Sequence, residues 1–147
     1  MYGSKQFTSR MTQPDLLRRI FLEIFPHDYV TGWYEQEFKR FTGIDVFDVE
    51  FDVTRGATSI SCGQFDLLLL RSDRLNDNLP LISEFVGSAI KLTRENEASD
   101  KWYGPVYEEF REGLKLPEVL VERLLTTQYT SHFFDPAEIA EVWARYT

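Results

Sequence analysis

The chain has 147 residues and one cysteine; 43% of its residues are hydrophobic, 15% are aromatic, and its net charge at pH 7 is -8. This composition is typical of one globular domain, and a single cysteine excludes an intramolecular disulfide and a thiolate zinc site. The acidic charge disfavours general binding to nucleic acid or to an anionic membrane surface.

The sequence shows no targeting or membrane-spanning pattern. The polar N-terminus lacks the apolar core of a secretory signal, and no apolar run approaches the roughly 18 residues of a membrane span. We therefore expect a cytoplasmic protein in a reducing compartment. We also expect a flexible N-terminus over residues 1–11 and a single domain over residues 12–147.

The first part of the chain shows helical spacing. Thr12 is placed to cap a helix that ends at Pro26. Asp28 is a candidate cap for a second helix, and Gly43 stands where a C-cap glycine belongs. Apolar and acidic residues then alternate, which predicts a strand or an extended sheet edge over residues 47–53.

Two β-type runs follow on either side of Cys62-Gly63-Gln64, and this spacing favours a hairpin. The second run contains four consecutive leucines, residues 67–70, which predict a strand covered on both faces. Because the chain offers few strands to flank the leucines, we expect a very small sheet or a sheet that is completed from outside the chain.

The second half of the chain is predicted to be mostly helical. A short helix over residues 79–86 should end at Gly87, and residues 90–93 should form a brief strand or an extended loop. Further helices are expected to begin at Ser99 or Asp100, at Pro117 and at Asp135. The side chains expected to face the core from these helices are Trp102, Val106, Phe110, Ile139, Val142 and Trp143.

Few residues suggest catalysis from their sequence context. We interpret His27 as a turn residue, His132 as a packed or surface histidine, and Cys62 as a small buried hydrophobe. These residues have no metal-ligand spacing, so no metal site is predicted. The many carboxylates alternate with apolar residues as on a solvated face, and no pair stands out for glycoside hydrolysis. We therefore assign no catalytic residue.

Several segments, taken in order, resemble one known family. They are residues 27–52 (HDYVTGWYEQEFKRFTGIDVFDVEFD), residues 67–77 (LLLLRSDRLND), Phe85-Val86-Gly87, and a tail with Asn96, Lys101, Tyr103, Tyr107, Phe110, Leu116-Pro117, His132, Phe133, Phe134 and Glu138. In order and spacing they are similar to the capsular polysaccharide synthesis proteins, which belong among sulfotransferase-like folds. The resemblance runs from about residue 14 to the C-terminus.

The resemblance implies an α/β fold, helix-rich with a small sheet, like the C-terminal part of the sulfotransferase P-loop-like fold. It implies sulfuryl transfer from 3′-phosphoadenosine 5′-phosphosulfate to a saccharide hydroxyl. The phosphate-binding loop that opens the family's fold has no counterpart here, so we expect the C-terminal part only, inactive alone and with no bound cofactor.

The resemblance also implies that the end of the leucine strand lies beside the nucleotide, where Ser72 replaces a frequent aromatic residue. The implied cofactor-binding residues are Arg71, Ser72, Asp73, Arg94, Asn96 and Lys101. The alternative for Arg71 and Asp73 is that they close the strand end and cap the region of residues 75–86 through local hydrogen bonds.

Other functions remain open. An acidic, aromatic-rich domain that lacks sheet partners would expose apolar surface, and it would then self-associate or complete the sheet of a partner chain. This alternative is a non-catalytic interaction module. Trp102 and Tyr103 beside Lys101 could instead stack a ring or a sugar.

Overall fold

The computed structural model describes residues 12–93, 97 and 100–147. The N-terminus predicted to be flexible, residues 1–11, lies outside the described residues, as do Arg94, Asn96 and Ser99. The described chain consists of helices and one two-stranded antiparallel sheet. This confirms the predicted helix-rich fold with a small sheet.

Helix α1 spans Gln13–Glu23, and Thr12 caps it as predicted, since its side chain accepts the Asp15 N–H. The helix packs against α5, Gly104–Glu112, where the rings of Phe21 and Phe110 lie 6.1 Å apart. The cap residue therefore predicted the start of this helix correctly.

The second helical segment has three parts. Helix α2 spans His27–Trp33, a π-helical segment follows at Tyr34–Phe38, and α3 spans Lys39–Thr42. Asp28 is not the cap, because the helix begins at His27 and its N-cap residue is Pro26. Gly43 ends the segment with φ 75°, a left-handed conformation that glycine adopts at low cost and that was expected here.

The predicted hairpin is present. Strands β1, Ala57–Cys62, and β2, Phe65–Leu70, pair in antiparallel register around a two-residue turn at Gly63-Gln64. Gly63 has φ 62°, which suits the first position of such a turn. Cys62 lies next to the turn and is exposed, so the prediction of a buried cysteine was wrong.

Residues 47–53 do not form the predicted strand. Instead, a 3-10 turn occupies Val46–Asp48, and the Asp45 side chain accepts the Phe47 N–H at 3.0 Å. A local side-chain bond of this kind competes with pairing in a sheet. Glu50 and Asp52 nevertheless lie along β1, because Asp52 forms an isolated bridge with Ala57 and Thr58 Oγ1 donates to the Glu50 carbonyl, as the alternative of an extended sheet edge predicts.

The remaining helices follow the sheet. Helix α4 spans Leu79–Val86 and ends at Gly87 as predicted, and residues 90–93 form a loop, the second of the two predicted alternatives, and not a strand. Helices α6, Glu118–Leu125, and α8, Pro136–Tyr146, begin within one residue of the predicted starts. Between them lies α7, Gln128–Phe133, which was not predicted because it lacks an apolar period.

Three expected core residues are exposed. Helix α5 begins at Gly104 rather than at residue 99 or 100, so Trp102 precedes the helix and is 88% exposed. Val142 and Trp143 of α8 are 40% and 37% exposed. The outcome contradicts the prediction that these side chains face the core.

The buried core connects the hairpin to α7 and to the turn before the sheet. Its members are Ile44, Val46, Phe51, Ile60, Leu69 and Phe133. His27 is also buried, and its Nε2 lies 2.7 Å from the Phe21 carbonyl oxygen, so this histidine is a bonded structural residue. The core therefore holds β2 against α7, and this packing defines the site described next.

Candidate functional site

Arg71 follows β2 directly and is the centre of a charged network. Its side chain is only 7% exposed. Nε and Nη2 donate to the Asp73 carboxylate at 3.1 and 2.7 Å, and the backbone N–H donates to the Gly56 carbonyl at 2.9 Å. These are the local hydrogen bonds at the strand end that the sequence alternative predicts, whereas neither side chain caps α4, whose N-cap residue is Asn78.

A second carboxylate completes the network from the start of α8. Nη1 and Nη2 of Arg71 donate to the two Glu138 oxygens at 2.8 and 2.7 Å, and Nη1 also donates to the Phe133 carbonyl at 3.3 Å. A guanidinium has five N–H groups, so all of them are engaged. Because Glu138 also accepts the Asp135 N–H, one carboxylate both caps α8 and ties it to β2.

The charges of this network are fixed near neutral pH. Hydrogen bonds from Arg71 hold the pKa of the Glu138 and Asp73 carboxyls below their usual values, and partial burial opposes this only in part. The same bonds raise the pKa of Arg71. Both carboxyls are therefore ionised and weakly basic, so neither is a good acceptor for a proton.

A cleft of about 250 Å³ opens beside this network. We call it the aromatic cleft, and its lining residues are Tyr34, Phe51, Leu69, Leu70, Arg71, Ser72, Asp73, Tyr129, Phe133 and Phe134. The Arg71 guanidinium carbon lies 4.4 Å from the centre of the Phe134 ring, within reach of a cation–π interaction. Ser72 and Asp73 are exposed, so polar groups and ring faces share one opening.

Two phenols contribute neutral polar groups to the cleft. The rings of Tyr34 and Tyr129 lie 6.2 Å apart and are inclined by 23°, and both residues are partly buried. Neither hydroxyl bonds to another described residue. Burial is the main cause that raises the pKa of both, so each stays neutral at pH 7 and can donate and accept a hydrogen bond.

The sequence predicted only part of the structure that positions the two phenols. Tyr34 lies in the predicted second helical segment, but at the start of its π-helical part Tyr34–Phe38, a rare geometry that recurs at functional sites and was not predicted. Tyr129 lies on α7, which was not predicted, and no signal in the sequence pointed to it.

The structure brings together half of the predicted cofactor-binding residues. Arg71, Ser72 and Asp73 line the aromatic cleft, whereas Lys101 is not among its lining residues. The Lys101 carbonyl accepts the Gly104 N–H at 2.9 Å in the turn before α5. Arg94 and Asn96 lie outside the described residues.

The described residues of the cleft do not fit the nucleotide donor that the resemblance implies. A phosphosulfate needs N–H groups that can turn toward it. Arg71 is the only cation among the described lining residues, and two carboxylates and a carbonyl already take its five donors. The Asp73 carboxylate at the opening would also repel an anion.

The described part of the chain contains neither a metal-ligand cluster nor a membrane-spanning helix. No group of three or more His, Cys, Asp or Glu residues there could hold a metal ion. None of the helices described combines the length and the hydropathy that a bilayer crossing requires.

Comparison with known proteins places the chain in a family. Over residues 10–135, which is most of its length, the chain matches the NKWYS family, described as "Putative capsular polysaccharide synthesis protein". Searches of curated proteins and of solved structures found no match. The chain therefore belongs to the NKWYS family of capsular polysaccharide synthesis proteins.

Proposed function

We propose that the chain takes part in capsular polysaccharide synthesis by binding a saccharide in the aromatic cleft. The observation that carries this proposal is the pair of partly buried Tyr34 and Tyr129 hydroxyls, which lack described partners at a wall of aromatic rings. A sugar has apolar C–H faces that pack on rings and hydroxyls that bond to phenols.

The size and charge of the cleft support a sugar over a nucleotide. Its volume of about 250 Å³ lies below the range of about 300–1,000 Å³ that is usual for drug-sized ligands. Its accessible polar side chains are the two phenols, Ser72 and the ionised Asp73. These groups match the hydroxyls of a neutral saccharide rather than the phosphates of a donor.

In the sulfuryl transfer implied by the sequence resemblance, the bound saccharide would be the acceptor. The carboxylates near the cleft are weak bases, and the one lining cation among the described residues is fully bonded. We therefore propose that this chain holds the acceptor and has no sulfotransferase activity alone.

The direct test is a titration of the chain with a panel of neutral monosaccharides and disaccharides, in which NMR chemical shifts are measured. We expect saturable shifts, and we expect Tyr34→Phe combined with Tyr129→Phe to weaken binding about tenfold, because two hydroxyl bonds are lost. Tyr29→Phe is the matched control, since Tyr29 is 53% exposed and lies outside the cleft. Failure of every sugar to bind would contradict the proposal.

The nucleotide is tested separately by calorimetry with 3′-phosphoadenosine 5′-phosphate. We expect no saturable binding up to millimolar concentration. Saturable binding that Ser72→Ala weakens would show that the cleft takes the donor after all, and it would overturn the assignment of the cleft to the acceptor.

The exposed turn before α5 is the competing location for a sugar. Trp102 is 88% exposed, and its ring lies 5.6 Å from that of Tyr103. Loss of saccharide binding in Trp102→Ala, with binding intact in the Tyr34 and Tyr129 variants, would move the site there.

A further inference from the structure

The outer edge of β2 carries a row of backbone groups without partners. In the described chain β2 pairs with β1 alone. The Arg71 N–H donates to the Gly56 carbonyl at 2.9 Å, which sets the phase of the ladder, so alternate residues of β2 bond to β1. The residues whose N–H and C=O groups point outward are Asp66, Leu68 and Leu70, and no described group bonds to them.

This edge lacks the devices that usually protect an edge strand. Proteins block free edges with lysine, proline, bulges or covering segments. The run FDLLLL contains neither lysine nor proline, and its register with β1 is unbroken. Its one charged residue, Asp66, accepts a hydrogen bond from Ser61 Oγ at 2.7 Å and is thereby held toward β1.

The edge of β1 differs, because a neighbouring segment covers part of it. Asp52 forms a bridge with Ala57, and Thr58 Oγ1 donates to the Glu50 carbonyl at 3.0 Å. Of the two edges of this sheet, the one on β2 is therefore the one open to an added strand.

We propose that this edge pairs with the same edge of a second copy of the chain. The two β2 strands run antiparallel about a twofold axis at Leu68, which places Leu68 opposite its own copy and Asp66 opposite Leu70. Each of these facing pairs exchanges two backbone hydrogen bonds, and the two hairpins become one four-stranded sheet.

The chemistry of the edge favours a second copy. The twofold register sets the acidic Asp66 against an apolar residue, so no like charges face each other across the new pair. The core and α7 cover only one side of the two-stranded hairpin, and pairing with a second copy extends it at its edge. Two copies of the β2 edge are sufficient to form this register. The proposal therefore does not depend on what the cleft binds.

The test is sedimentation of the full chain in about 0.3 M salt, which screens the net charge of -8. We expect twice the chain mass of 17.3 kDa at high concentration. Leu68→Lys and Leu68→Glu should each weaken the dimer about tenfold or more, because like charges then face each other. An equimolar mixture of the two variants should restore it as a heterodimer. Ser59→Lys, on the exposed part of β1, should leave it unchanged.

Hydrogen exchange of the unaltered chain provides a measurement that needs no variant. The outward amides of Asp66, Leu68 and Leu70 should become protected as protein concentration rises, while the inward amides of β2 stay protected throughout. A monomer at all concentrations would overturn the proposal. A dimer whose outward amides exchange freely, or one that Leu68→Lys leaves intact, would overturn it as well.

Discussion

Two neighbouring parts of the aromatic cleft hold their polar groups in opposite states. The Arg71 guanidinium is nearly buried and all five of its N–H groups have acceptors, whereas the Tyr34 and Tyr129 hydroxyls have no described partner. A fully bonded buried group contributes to the fold, while an unbonded group at an opening is available to a ligand. In this cleft, hydrogen-bonding groups without a described partner therefore indicate a candidate binding residue better than charge does.

The largest expected effect comes from removing the bonded group. Arg71→Leu leaves the partly buried Glu138 with only the weaker Arg74 pair, at 3.8 Å, and should lower the free energy of unfolding by about 3 kcal/mol. Urea unfolding measures this. The matched control is Arg19→Leu, because the Arg19–Glu23 pair is 61% and 58% exposed and should cost less than about 0.5 kcal/mol. Equal small losses in both variants would show that the network is not structural.

A smaller effect is expected at Phe134, which contacts the Arg71 guanidinium and also lines the aromatic cleft. Phe134→Leu removes the ring under the Arg71 guanidinium and should cost about 1 kcal/mol of unfolding free energy. It also removes one aromatic wall of the cleft, so saccharide affinity should fall as well. Phe41→Leu is the control, since Phe41 is 82% exposed and lies outside the cleft. A loss of affinity without a loss of stability would separate Phe134 from the network.

Acid should weaken the network by a further, smaller amount. The folded-state pKa of Glu138 is lowered, so its contribution is complete above the unfolded pKa of about 4.3 and is lost as the pH falls through the folded value. We expect a loss of about 0.5–1 kcal/mol from this residue, because its side chain is 24% exposed. Urea unfolding across this pH range measures it, and Glu138→Gln should flatten the slope. An unchanged slope would contradict the assignment.

The local elements of the fold could be predicted from the sequence where a cap or a turn residue fixes the backbone. Thr12, Gly43, Gly63 and Gly87 all mark boundaries that the structure confirms. At residues 47–53 the predicted strand was wrong, whereas the alternative of an extended sheet edge holds for Glu50 and Asp52. An aspartate side chain bonds the local backbone there, and such competition leaves the apolar alternation unchanged.

The candidate site was only partly predictable because it depends on contacts between distant segments. Arg71 and Asp73 were identified as a strand end, but their partner Glu138 lies 67 residues away from Arg71 and was quoted only for the family resemblance. Tyr129 lies on a helix without an apolar period, and no local pattern relates it to Tyr34. Pairing of this kind is set by tertiary packing, which periodicity does not encode.

The smallest expected effect concerns the phenols and tests their state directly. Since burial raises the pKa of both tyrosines above the ordinary value of about 10, the neutral form persists through mildly alkaline pH. Affinity for the best sugar of the panel should therefore stay constant from about pH 7 to about pH 9 and fall only when phenolate absorbance rises. If the affinity declines over this pH range while phenolate absorbance does not rise, then other groups bind the sugar. Tyr29→Phe should leave the profile unchanged, whereas the double variant of Tyr34 and Tyr129 should lose the alkaline fall, because no phenol of the cleft remains to ionise.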